Sequence, residues 1–146
     1  MLKRKLPLPG LCCALAAMLV FGSAGAADLV VIVSARAPVP ALRAEQVADI
    51  FLSESHRFPD GSEATPVDQQ IGTAPRDEFY EKVVRRSPAL LRAYWTKMIF
   101  TGRGQPPREA SGNAGVKKLV AENPGMIGYI DRSALDPTVR AVLTVH

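Results

Sequence analysis

Few residues in this 146-residue chain are spaced for chemistry, and most of them fall in Val67–Phe79, VDQQIGTAPRDEF. A short apolar run, Ala64–Val67, leads into a Gly72-Thr73 turn, and a helix starts at about Pro75. Such a turn exposes unpaired backbone N–H groups at the positive end of a helix dipole, where a small anion is stabilised. Glycine lets those N–H groups turn toward a ligand, and threonine can cap the helix or donate. Arg76, one turn in, adds a charge-assisted contact. Arg103 sits between two glycines in TGRG, so its guanidinium can reach over a cleft. The candidate anion-binding residues are therefore Gly72, Thr73, Arg76 and Arg103. The turn and Arg103 each have a plainer structural reading: a Gly-Thr turn that only caps its own helix, and an exposed loop arginine.

No catalytic residue emerges. His56, in the polar loop SESHRFPDG, and His146 both lack a neighbouring ligand-type residue at metal spacing, so neither a metal site nor a cofactor is expected. Nothing resembles a nucleophile elbow, a zinc motif or a phosphate-cradling Walker loop. Asp77 and Glu78 open a helix whose dipole favours them. The expectation is a protein that is not an enzyme.

The first residues read as a targeting segment. Lys3, Arg4 and Lys5 form a positive region, Leu11–Phe21 an apolar one, and Ser23–Ala27 supplies small residues for cleavage after Ala26 or Ala27. The apolar run is well short of the roughly 20 residues that a membrane span needs. Residues 1–27 are thus expected to be a cleavable signal peptide, and 28–146 one exported, periplasmic domain. Cys12 and Cys13 lie in the leader, so the remaining domain has no thiol for a disulfide or a metal. Three of the 18 basic residues lie there too, leaving 15 against 14 acidic ones. A net charge near +1 gives no global reason to expect nucleic acid or membrane binding.

The elements that must position the turn follow from pattern. Asp28–Ser34, DLVVIVS, is an apolar run without polar alternation, as in a strand buried on both faces. Leu42–Leu52 carries Ala44, Val47, Ala48 and Phe51 at helical spacing. Pro59-Asp60-Gly61-Ser62 is a turn, and Ala64–Val67 a strand. A helix over about Pro75–Arg85 places Phe79, Tyr80, Val83 and Val84 on one face. Ser87-Pro88 starts another, whose stripe of Leu90, Leu91, Tyr94, Trp95, Met98 and Ile99 points to the core. Thr101–Glu109 reads as a Gly/Pro loop, Asn113–Glu122 as a helix, and Met126–Ile130 and Val139–Val145 as strands. Strands alternating with helices imply an α/β layered domain with a mainly parallel sheet.

In this order the motifs resemble a known family. LRAEQVADIFLSESHRFPDGSEATPVDQ, GTAPRDEF, RAYWTKMIFTGRGQPPRE and NPGMIGYI are similar to the phosphate-binding-protein-like domain of phosphate ABC transporters, over roughly Val30 to Ile130. The chain looks most like the short, single-lobe members of that group. The resemblance implies a three-layer α/β lobe of the type 2 periplasmic-binding-protein-like fold, its mainly parallel sheet flanked by helices. It implies an exported solute-binding protein that takes a small oxyanion such as phosphate for ABC-transporter uptake or sensing. The alternative it leaves open is a ligand-free periplasmic interaction partner of an envelope complex or sensor. In the family a Ser-Gly-Thr turn holds the anion, a role that carries over to Gly72 and Thr73, while Ile71 stands at the serine position. No arginine occurs in Pro66–Gln70, which leaves Arg76 to take the positive role. A single lobe lacks a facing wall, which a membrane permease, a sensor or a homodimer partner would supply.

Overall fold

In β1 (Leu29–Ser34) every residue is buried, with alternate side chains entering two different cores. Leu29, Val31 and Val33 face one, and Val30 and Ile32 the other. An unbroken β-branched run thus marks the middle of a three-layer domain. The computed structural model describes residues 28–146; the expected signal peptide and its two cysteines lie outside the described residues.

The other elements follow in the order α1 (Ala44–Phe51), β2 (Thr65–Gln69), α2 (Ala74–Phe79), α3 (Pro88–Phe100), β3 (Arg108–Ala110), α4 (Gly112–Glu122), β4 (Met126–Asp131) and β5 (Val139–Val145). The sheet has the order β3-β2-β4-β1-β5. β2 runs parallel to β3 and β4, and β1 is antiparallel to both β4 and β5. Four strands therefore point one way and only β1 is reversed, so the expected mainly parallel sheet is what forms. The larger core, under α1, α2 and α3, stacks Phe79 on Tyr129 at 4.0 Å between ring centroids, with Phe51 tilted against both. The smaller core lies under α4, whose Val116 and Val120 cover β1 and β4.

Three local expectations are corrected. The helix after the turn is not uniform: α2 passes at Tyr80 into a wider π-turn, Tyr80–Val84, and ends at Arg85 with a left-handed φ of 61°. That widening lets adjacent Phe79 and Tyr80 both enter the core, together with Val83 and Val84. On α3, only Leu91 and Trp95 of the apolar stripe are fully buried, while Leu90 and Ile99 are 60% and 57% exposed. Adjacent apolar pairs span too wide an arc for a single contact face, so Leu90 and Ile99 at its two edges remain in water, while Tyr94 and Met98 pack half-buried against the core. Finally, the end of the Gly/Pro loop forms β3, pairing Arg108–Ala110 in parallel with Val67–Gln69. At the start of α3, Ser87 accepts the Leu90 N–H and Pro88 takes the first position, as the sequence predicts.

Candidate anion-binding site

The parallel strand β2 ends at Gln69, and the chain turns through Gly72 into α2. Gly72 has φ +87°, and a Cβ there would meet nothing within 4 Å, so it is conformation rather than space that requires glycine. Thr73 occupies the N-cap position without capping: its hydroxyl donates to the Gln70 carbonyl at 2.8 Å and its N–H to the same oxygen at 3.3 Å. Thr73 thus closes the turn on itself and has no proton left for a ligand. Among the described residues, the N–H groups of Gly72, Ala74 and Arg76 have no protein acceptor, as expected of a first helical turn.

Arg76 is 6% exposed and sits on a buried acid. Its Nε donates to Asp68 Oδ2 at 3.2 Å, and its guanidinium lies 4.8 Å from the centre of the Tyr80 ring. The Tyr80 hydroxyl donates to the same oxygen at 2.7 Å. Asp68 Oδ1 accepts the Tyr129 hydroxyl at 2.5 Å and the Gln69 N–H at 2.8 Å. Burial pushes the Asp68 carboxyl above its usual range, against the pull of Tyr129, Arg76, Tyr80 and the Gln69 N–H. Burial first, and the Asp68 carboxylate next, push the Tyr80 and Tyr129 phenols upward. The result is a polar hub inside an aromatic core that fixes Arg76 beneath the turn.

Above the hub lies a cleft of about 420 Å³ between the turn and α3, walled by Ile71, Leu91, Trp95 and Ile99, with Gly72 and Arg76 on its lining. Only the Nε of Arg76 is committed to Asp68, so its Nη groups are the part left for a ligand. One acid competes: Glu109 on β3 accepts the Ile71 N–H at 2.7 Å. Gly72, Thr73 and Arg76 are therefore together, as their spacing suggests, whereas Arg103 is exposed on the loop after α3 and does not line the cleft. Asp68, Tyr80, Tyr129 and Glu109 escaped the sequence reading. The one local signal was an acid, Asp68, beside the apolar run that ends at Val67. Among the described residues no three His, Cys, Asp or Glu side chains are grouped to hold a metal.

The fold is that of a single α/β lobe, with the turn at the end of an inner parallel strand. Solved structures carry the resemblance further. A protein from Clostridium perfringens assigned as a phosphate ABC transporter substrate-binding protein, solved with phosphate bound, matches 79% of this chain at 27% identity and a TM-score of 0.61. An ABC-type phosphate transport receptor from Vibrio cholerae matches with a TM-score of 0.62 at 19% identity, and PstS from Borrelia burgdorferi with 0.59 at 12%. The last two likenesses show the fold alone. The chain is thus similar to phosphate ABC transporter substrate-binding proteins, as its motifs implied, and spans 44–46% of the length of these three. No protein-family model and no curated protein matches it.

Proposed function

We propose that this chain is an exported solute-binding protein that takes a small oxyanion, phosphate first, for uptake by an ABC transporter, with a membrane permease as its partner. The observation that carries this reading is the likeness, at 27% identity, to a substrate-binding protein solved with phosphate. The turn between β2 and α2 supports it locally. The free N–H groups of Gly72, Ala74 and Arg76 supply directed donors, and the Arg76 Nη groups supply charge. Thr73 shapes this turn rather than touching the ligand, and Arg103 stands outside the contact set. In this reading residues 1–27 direct export and are removed. Solvent over a single lobe weakens each contact relative to a closed cleft, so the affinity of the isolated chain is modest.

The test is titration of the chain from Asp28 onward with phosphate and with sulfate, following the melting temperature and the fluorescence of Trp95, the only tryptophan. Phosphate raises the melting temperature in a saturable way. No shift at millimolar concentrations of either anion removes the reading.

A further inference from the structure

The free side of α3 carries a pattern that the anion site does not use. Four large apolar side chains are strongly exposed among the described residues, and Leu90, Ile99 and Phe100 of these belong to α3. Phe100 is 93% exposed. The fourth, Ile71, shares the cleft wall with Ile99. Ala89, Ala93 and Phe100 line one shallow groove along the helix together with Arg92 and Lys97. The helix is therefore apolar on both sides: Leu91 and Trp95 face the core, and an alanine and phenylalanine strip faces out. An exposed apolar patch of this kind marks a surface that something covers.

Charge selects what covers it. From Lys82 to Arg108 the chain has seven basic residues and no acidic one, although the described residues as a whole are nearly neutral. Arg92, Lys97 and Arg103 are all exposed and form no ion pair among the described residues. A second copy docked face to face would oppose these cations to each other. An anionic bilayer surface accepts both halves of the pattern. Phe100 enters the headgroup boundary beside Ala89 and Ala93, and the long stems of Arg92 and Lys97 lie along this strip with their charges reaching lipid phosphates. Leu90 and Ile99 flank the strip on opposite sides, Ile99 on the anion cleft. At 13 residues α3 is about 20 Å long, enough to lie in the interface and too short to span it.

We propose that the outward face of α3 docks this protein peripherally on an anionic lipid bilayer. The assay is co-sedimentation of the chain from Asp28 onward, which contains the whole sheet and both cores. The vesicles are phosphatidylcholine alone, or phosphatidylcholine with about a third phosphatidylglycerol. Binding to the anionic vesicles is expected at about 0.1 M salt, and its loss at about 1 M, where charges are screened. Phe100→Ser, at a site too exposed to support the core, weakens binding about tenfold. The double change Arg92→Gln/Lys97→Gln weakens it about thirtyfold, whereas Lys118→Gln, on α4 across the sheet, has less than a third of that effect in logarithmic terms. Equal binding to neutral and anionic vesicles, no binding to either, or undiminished binding by Phe100→Ser overturns the proposal. Capture of an acidic protein on this face without vesicle binding overturns it as well. The outcome is separable from the oxyanion reading, because phosphate titration of the Phe100→Ser protein is unaffected whichever way the vesicles decide.

Discussion

The carboxylate of Glu109 accepts the Ile71 N–H at 2.7 Å, so an acid from β3 already holds the mouth of the turn where a ligand anion is proposed to sit. The parallel pairing of β3 with β2 brings it there, setting Asp68 opposite Glu109. A carboxylate a few ångströms from an incoming anion opposes it by about 1 kcal/mol in a water-like dielectric. Glu109→Gln keeps an oxygen acceptor for Ile71 and removes the charge. Phosphate affinity should rise about fivefold by calorimetry; an unchanged or lower affinity means that no anion binds beside this residue.

Ala74→Pro tests the donors without disturbing the fold. Ala74 is the first residue of α2, where proline costs little because its N–H lacks an intrahelical partner. Thr73 before it is already extended, with φ −87° and ψ 145°, the conformation a following proline prefers. The variant therefore keeps its melting temperature while losing one N–H from the site. Phosphate affinity should fall by about tenfold or more, the worth of one charge-assisted hydrogen bond. Retained affinity would place the anion elsewhere.

The hub beneath the turn is the part of the site that sequence could not reveal. The Asp68 partners Tyr80 and Tyr129 stand 12 and 61 residues along the chain, and only the pairing of β2 with β4 and the π-turn after Phe79 bring them to one carboxylate. By contrast, β1 was legible because burial on both faces leaves an unbroken apolar run, and α3 because Ser87-Pro88 is a local start signal. β3 was hidden because three polar-flanked residues pair only through a distant partner. The glycines flanking Arg103 give its loop conformational freedom, but that freedom says nothing of which way the loop runs. Motif order carried the family likeness that no single motif could.

Asp68→Ala leaves the Arg76 guanidinium buried without its counter-ion. Removing one partner of a buried pair costs about 3–5 kcal/mol, and urea denaturation should show a loss of that size. Tyr129→Phe removes a single donor from the same carboxylate and should cost about 1–3 kcal/mol. If Asp68→Ala proves no worse than Tyr129→Phe, the acid is not the centre of the network.

The same hub sets an alkaline limit. The Tyr80 and Tyr129 phenols are pushed above the ordinary tyrosine value, so the folded state holds their protons more tightly than the unfolded state. The stability this contributes is complete below the unfolded value of about 10 and is lost as pH climbs past it toward the folded values. Tyrosinate absorbance from these two side chains should therefore appear together with loss of far-ultraviolet circular dichroism. Their ionisation in a chain whose circular dichroism is intact would contradict the buried hub.

Gly128 in β4 is held to glycine by packing. A Cβ there would lie 2.5 Å from Val116 Cγ1 on α4, 3.3 Å from Val120 Cγ2 and 3.4 Å from the Val67 carbonyl. Val67 is in β2 and Val116 and Val120 cover the smaller core, so an added methyl must push the helix away from the sheet. Overpacking of this kind costs about 1–3 kcal/mol, and Gly128→Ala should lower the urea midpoint accordingly. The first obstacle is a single methyl group, so Val116→Ala should return part of the loss when combined with Gly128→Ala, although alone it destabilises by opening a cavity. Simple addition of the two losses would mean that α4 does not approach β4 through Gly128.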